Sequence, residues 1–261
     1  MQILIATAII TTIGLLCAIM LVIAAKCFKV NVDEKFTDLR ACLPGVNCGA
    51  CGYTGCDGYA AALSSDPTIK TNLCIPGGDS TSAQISKVLG VDAEDVEEKI
   101  SRIKCNGTCN NTSKTAELYG SKSCAAAKLV YGGLGQCTFG CIGLGDCAKV
   151  CPTDAICIEN GVAHVVVDKC IGCGLCVKTC PVGIISLVNA SSTVTVKCSN
   201  HDKGAVARKK CSVACIACKK CEKTCPSDAI KVTDNLAVID YSKCTNCGEC
   251  AKVCPVGCIE I

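Results

Sequence analysis

Cysteine is the residue through which this chain can do chemistry, and its spacing says which chemistry. Residues 215–226 read Cys215-Ile-Ala-Cys218-Lys-Lys-Cys221-Glu-Lys-Thr-Cys225-Pro226, and the pattern returns as Cys244-Thr-Asn-Cys247-Gly-Glu-Cys250-Ala-Lys-Val-Cys254-Pro255. This is C-x2-C-x2-C-x3-C-P written twice, the run that holds a pair of [4Fe–4S] clusters. Three thiolates at short intervals on a tight loop reach three corners of one cubane. The fourth lies one helical turn on, points the other way and ligates the other cluster. The motifs therefore close crosswise. Cluster A takes Cys215, Cys218, Cys221 and Cys254, and cluster B takes Cys244, Cys247, Cys250 and Cys225. Zinc is also held by C-x2-C pairs, but its sites use two pairs of ligands, not a run of four closed by proline.

The same arrangement lies 74 residues upstream, where Asp146-Cys-Ala-Lys-Val-Cys-Pro-Thr-Asp-Ala-Ile matches Lys220-Cys-Glu-Lys-Thr-Cys-Pro-Ser-Asp-Ala-Ile. Cluster D is regular there, with Cys170, Cys173, Cys176 and Cys151. Cluster C has leucine at position 144, where its counterpart has Cys218. Cys137 is expected to substitute, giving Cys137, Cys141, Cys147 and Cys180 on the flexible loop Gly140-Cys-Ile-Gly-Leu-Gly-Asp146. A three-iron cluster lacking one ligand is the alternative. A fifth [4Fe–4S] site is Cys48-x2-Cys51-x4-Cys56-x17-Cys74. Its Gly49, Gly52 and Gly55 let the backbone curl close to inorganic sulfide; a zinc knuckle is the alternative. Cys105, Cys124, Cys198 and Cys211 are left over, flanking two modules that must dock side by side. They are expected to hold a sixth cluster at the junction, with Cys109 as reserve ligand. Six cubanes make about twenty-four iron atoms.

Composition agrees with this. The chain has 261 residues, 30 of them cysteine, with 3% aromatics and no tryptophan. Cysteine this dense means disulfides in a short secreted chain and metal in a cytosolic one. The C-x2-C spacings favour metal. A net charge of +3 with acids and bases interspersed gives no sign of a nucleic-acid partner. Tyr131-Gly-Gly-Leu-Gly-Gln lacks the third glycine of a dinucleotide loop, and there is no Walker A loop. His164 and His201 read as surface residues, and Cys157 and Cys258 as small buried ones. No catalytic residue is expected. The chemistry is single-electron transfer, at potentials of roughly −700 to +450 mV for such clusters.

The elements that must position these cysteines give an α+β chain. Met1 to Ala25 carries no charge, and at ~1.5 Å per residue it spans roughly 37 Å, enough for a transmembrane helix. A signal peptide would want a basic n-region, and Lys26 before Cys27 is wrong for lipoprotein cleavage. Lys26, Lys29, Lys35 and Arg40 follow the apolar run, which puts the soluble part on the cytoplasmic side. Cys17 within the helix reads as a small buried side chain. Residues 26–42 form a connector. Residues 43–104 form the small four-cysteine domain, with a helix from Cys56 to Leu63. Two more helices are expected near 81–89 and 93–103, capped by Ser80 and Asp92. Residues 105–136 link it to tandem ferredoxin-like modules at 137–190 and 191–261. Each module should be βαββαβ, with inner strands at 162–167 and 236–239.

In this order of parts, and in Pro44-Gly-Val-Asn-Cys-Gly-Ala-Cys-Gly-Tyr-Thr-Gly-Cys-Asp-Gly-Tyr, Leu73-Cys-Ile-Pro-Gly-Gly, Cys141-Ile-Gly-Leu-Gly-Asp-Cys and Asp202-Lys-Gly-Ala-Val, the chain resembles the B subunits of the Rnf complex. It looks like the long polyferredoxin form of anaerobes. The resemblance implies a subunit of a membrane ferredoxin:NAD+ oxidoreductase that couples electron flow to Na+ or H+ pumping. It implies a single-pass protein of the cell (inner) membrane that accepts electrons from reduced soluble ferredoxin. It implies membrane lipid and other membrane and peripheral subunits as partners, those subunits carrying the flavin and NAD sites. Rival readings are a membrane-tethered polyferredoxin of a hydrogenase or another dehydrogenase complex, and a structural zinc scaffold. A third is a corrinoid-linked protein, since the N-terminal four-cysteine domain also resembles one found there; no cobalamin domain follows.

Overall fold

The computed structural model describes residues 2–27, 34–117, 119, 120 and 122–261, with backbone alone at 2–4, 6, 8–10, 25–27 and 131. The first helix, α1, is Gln2–Cys27. Its described side chains at Ile5, Thr7 and 11–23 are exposed, Cys17 included, so Cys17 is not the buried residue expected. Among the described residues no helix is long and apolar enough to cross a membrane, side chains being described only for Ile5, Thr7 and 11–24 of α1. Lys29 and positions 28–33 of the expected connector lie outside the described residues, as do the side chains of Lys26 and Cys27.

The rest of the expected connector is helical. Phe36, Leu39 and Leu43 recur at helical spacing, so α2 (Glu34–Cys42) has an apolar side to bury against α3 (Cys56–Ser65) and α4 (Gly78–Leu89). Tyr59, 0% exposed, sits at the centre of the three helices, and its hydroxyl donates to the Lys70 carbonyl at 2.6 Å. α4 begins after Gly77 rather than after Ser80, because a 3-10 turn over Ile75–Gly77 leads straight into it.

The helix expected at 93–103 does not form. Lys99–Ile103 is instead a strand, β1, paired antiparallel with β4 (Ile185–Asn189). Ile100 and Ile103 are buried at 4% and 2%, and the distant strand supplies the backbone partners. Tertiary pairing thus overrides the helical leaning of Glu97-Glu98-Lys99.

With β1 included, the two ferredoxin modules have one element order. The first runs β1, α5 (Cys124–Tyr131), α6 (Asp146–Lys149), β2 (Ile156–Glu159), β3 (Val162–Val165), α7 (Leu175–Thr179) and β4. The second runs β5 (Thr195–Val196), α8 (Gly204–Lys210), α9 (Lys220–Thr224), β6 (Ile230–Thr233), β7 (Leu236–Ile239), α10 (Glu249–Lys252) and β8 (Ile259–Glu260). In each, an inner hairpin (β2–β3 or β6–β7) lies beside an outer pair (β1–β4 or β5–β8). The hairpins turn on Asn160-Gly161 and Asp234-Asn235, all four with positive φ, as two-residue turns of this kind require. The first module therefore starts at β1, inside the span read as the N-terminal domain. Small aliphatic residues fill both interiors: Ile103, Ile156, Val162, Ala163 and Ile185 in one, Val194, Ala207, Ile230, Ala237 and Ile259 in the other. The modules are tied together by Ser199 Oγ donating to the Lys104 carbonyl (2.8 Å), Thr112 Oγ1 to the Lys210 carbonyl (2.8 Å) and the Ser212 amide to the Asn111 carbonyl (2.9 Å).

Candidate metal centres

Each cysteine run in the modules is a loop that turns into a short helix. The turning residue is left-handed in all four cases: Gly145 before α6, Gly174 before α7, Lys219 before α9 and Gly248 before α10. That reversal folds each loop back against its short helix, which brings its cysteines around one space. In the second module two cavities result. One is ringed by Cys215, Cys218, Cys221 and Cys254 and the other by Cys225, Cys244, Cys247 and Cys250. The fourth cysteine of each run faces the other run's loop. Cys258 also borders the first cavity. It stands 3.6 Å from the Cys254 sulfur, and its thiol is pushed well up by a hydrogen bond with Cys215 and then by burial.

In the first module the cavity lining differs from the expected set at one position. The cavity bordered by Cys141, Cys147 and Cys180 is completed by Cys124, not by Cys137. Two hydrogen bonds explain why. Asp146 Oδ2 accepts from the Ser123 hydroxyl at 2.8 Å and from the Ala125 amide at 3.1 Å, which fixes the start of α5 against the start of α6. Cys124 is thereby held beside Cys147. It also holds the repeat position of Cys198, whose sulfur accepts from the Cys215 amide at 3.3 Å.

Cys137 goes instead to the junction between the modules, where it shares a cavity with Cys105, Cys198 and Cys211. The expected junction set thus exchanges one member, Cys124 leaving and Cys137 entering. Cys105 Sγ accepts from the amides of Gly107 (3.4 Å) and Cys141 (3.3 Å), and Cys137 Sγ from Asn200 Nδ2 (3.4 Å). Cys109, the reserve ligand, is exposed and donates to the Asn160 carbonyl at 3.2 Å, away from this cavity.

Two further sets are defined by mutual electrostatics. Cys176 is raised by burial and then by the charges of Cys170 and Cys151, and Cys173 by burial, Cys48, Cys176 and Cys151. Ser101 of β1 donates its amide to Cys170 Sγ at 3.4 Å, and its hydroxyl lies 3.2 Å from the same sulfur. In the N-terminal unit Cys74 is pushed up to about 11 by burial and by Cys56, Cys51 and Cys48. This unit meets α7 directly, where Lys178 Nζ donates to the Cys48 carbonyl at 2.7 Å.

The donor chemistry of these sets fits iron–sulfur clusters. Burial, then neighbouring thiols, push Cys147 up to about 12 and Cys221 and Cys141 up to about 11; burial acts likewise on Cys198, also about 11. Such thiols keep their protons until a cation replaces them. A single zinc ion draws four ligands onto one centre. A cubane instead takes each cysteine on a separate corner iron. Bound there, such a cluster exchanges one electron at a time.

The sets are also neighbours in series. Cys48 acts electrostatically on Cys173 and Cys176 on Cys147, while Cys105 Sγ accepts from the Cys141 amide and Cys198 Sγ from the Cys215 amide. Cys225 follows Cys221 along α9. Of the other residues singled out, Cys157 is half-buried and donates to Glu159 Oε1 at 3.3 Å. His164 lies in β3, and His201 Nδ1 is 3.0 Å from the Asp234 carbonyl. The sequence pattern gave no sign of α8, whose Lys203-Gly204 start packs on the Cys215–Cys221 loop.

Fold and donor sets define an iron–sulfur electron carrier built of 4Fe-4S domains. A family model for an Fe-S cluster matches residues 43–76, a 4Fe-4S binding domain matches 163–186, and a 4Fe-4S dicluster domain matches 214–258. The chain is 44% identical to the B subunit of the Na(+)-translocating ferredoxin:NAD(+) oxidoreductase complex of Acetobacterium woodii, over 98% of this chain and 77% of that one. It is 43% identical to the proton-translocating counterpart of Clostridium ljungdahlii, over 90% and 84%. Against the B subunit of the ion-translocating oxidoreductase complex of Methanosarcina acetivorans identity is 36%, over 91% and 90%. The chain belongs to this family, the B subunits of ion-translocating ferredoxin:NAD+ oxidoreductase complexes.

Proposed function

We propose that this chain is the membrane-anchored electron relay of such a complex. It takes electrons from reduced soluble ferredoxin and passes them through six [4Fe–4S] clusters to the other subunits. The supporting observation is the unbroken succession of cysteine sets from the N-terminal unit to the C-terminal module. The ligands are those expected from the sequence, with Cys124 and Cys137 exchanged. The N-terminal set is Cys48, Cys51, Cys56 and Cys74. Cluster D is Cys151, Cys170, Cys173 and Cys176, and cluster C is Cys124, Cys141, Cys147 and Cys180. The junction set is Cys105, Cys137, Cys198 and Cys211. Clusters A and B keep their ligands. The chain's part is to hold the clusters close together, shield them from water and set their potentials through amide–sulfur hydrogen bonds such as Ser101 to Cys170.

The apolar α1 is the anchor, lying in the cell membrane with the soluble part on the cytoplasmic side. Relatives named for sodium and for protons are 44% and 43% identical to this chain, so the relay suits complexes that move either ion. The test is anaerobic isolation of the full-length chain from native membranes. The other subunits of an ion-translocating oxidoreductase should come with it, and reduced ferredoxin should bleach its iron–sulfur absorbance. Isolation with hydrogenase subunits, or no bleaching by ferredoxin, refutes the reading.

A further inference from the structure

The C-terminal module presents one lopsided surface. Five of its eleven lysines and arginines are paired: Lys197 with Glu260, Lys210 with Asp202, Lys231 with Asp228, Lys243 with Asp240 and Lys252 with Glu249. Lys203, Arg208, Lys209, Lys219, Lys220 and Lys223 are exposed and have no ion-pair partner among the described residues. All six fall within α8, α9 and the residues just before them. The acid on α9 is already engaged, since Glu222 Oε2 accepts from the Val232 amide at 3.1 Å. The start of α8 lies against the loop that leads into α9. Gly204 packs so closely on the Ile216 carbonyl that an added Cβ would lie 2.5 Å from its oxygen.

Cys218 lies within this basic stretch and is exposed, unlike the buried Cys215 and Cys221 of the same loop. The backbone shows that the lysines beside it run against local preference. The left-handed position before the short helix is Gly145, Gly174 and Gly248 in the other three loops and Lys219 here, at φ 59°. A lysine there is strained where glycine is not. The next position, the first of the short helix, is Asp146 and Glu249 in two of the other loops and Lys220 here. Local rules broken without local gain mark a functional surface. Two lysines therefore follow an exposed cluster ligand at a place where folding alone favours glycine and an acid.

We propose that this face, with Cys218 at its centre, is where a small acidic iron–sulfur protein docks and hands its electron to cluster A. The inference rests on the reading of ferredoxin as electron donor and adds where it binds. Unpaired cations around an exposed ligand steer an anionic partner and orient it, and such steering weakens as salt rises. One electron leaves the reduced partner and enters the oxidised cluster held by Cys215, Cys218, Cys221 and Cys254. No bond is made or broken.

The test compares the full-length, cluster-loaded protein with a Lys219→Gly/Lys220→Gln/Lys223→Gln variant. Lys219→Gly restores the residue of the other three loops, so the fold is kept. The probe is an acidic two-cluster ferredoxin. At low ionic strength the second-order rate of reduction by ferredoxin should fall about tenfold or more, and its salt dependence should flatten. Iron content and the rate of reduction by dithionite should stay unchanged. Carbodiimide coupling to oxidised ferredoxin should join its carboxylates to Lys219, Lys220 or Lys223, a readout that needs no electron flow. Unchanged ferredoxin kinetics, or coupling confined to other lysines, overturns the proposal. So does a variant that loses binding to anionic vesicles while its ferredoxin kinetics hold. If the unsubstituted protein takes no electrons from ferredoxin at all, the proposed function fails, and not merely this docking face.

Discussion

A thiol buried among other thiols gives up its proton only to a cation, so which cysteines share a cavity matters. Which set is decided by short-range contacts. Ser123 and Ala125 both bond to Asp146 and so carry Cys124 to the cavity of Cys147. Asn200 and the junction loops hold Cys137 with Cys105 and Cys198. Paired substitutions test this sharing. Cys137→Ser and Cys198→Ser each should remove one cubane, and together they should still remove only one, leaving about twenty of twenty-four irons. Cys124→Ser combined with Cys198→Ser should leave about sixteen. Iron and acid-labile sulfide assays read the difference, and the opposite ranking would return Cys137 to cluster C. The runs of three cysteines and their crosswise fourth were legible because one loop and one helical turn fix them. The placement of Cys124 beside Cys147 and of Cys137 at the junction was not, because it depends on an aspartate–serine contact that no cysteine spacing encodes.

At the scale of elements, the same distinction separates what the sequence reveals from what it hides. The hairpins and short helices follow from local signals, such as Asn160-Gly161 and the glycines before α6, α7 and α10. β1 carries no such signal. Its five residues are a strand because β4, more than eighty positions later, offers a free edge and an apolar place for Ile103. α2 likewise looks polar until α3 and α4 cover Phe36 and Leu39. The proposed anchoring of α1 rests on its apolar run and the basic residues that follow it. A reporter fused after Ile261 should be active when it requires the cytoplasm and silent when it requires the outside. Reversal of that result would turn the anchor over. Activity in the soluble fraction instead would remove it.

Over the whole molecule the six proposed cysteine sets can be ordered by which acts electrostatically on which. The junction set lines a cavity to which both modules contribute. It lies between Cys141 on one side and Cys215 on the other, with its sulfurs taking the amide hydrogens of both. The proposed junction cluster would serve two ends there: it would weld the modules and close the gap between their clusters. Removing it should therefore divide the electron path without dismantling it. In a Cys198→Ser/Cys211→Ser variant the modules remain joined by the Ser199–Lys104, Thr112–Lys210 and Ser212–Asn111 hydrogen bonds. About twenty irons should remain, in two separate blocks. Reduced ferredoxin arriving at the Cys218 face should rapidly fill clusters A and B, about eight irons, while the other twelve or so stay oxidised on that timescale. Dithionite, small enough to reach each block directly, should reduce both. Freeze-quenched Mössbauer spectra after mixing with ferredoxin would count reduced and oxidised irons. Equal filling of all five remaining clusters, at the rate of the unsubstituted protein, would mean that the path does not run through the junction.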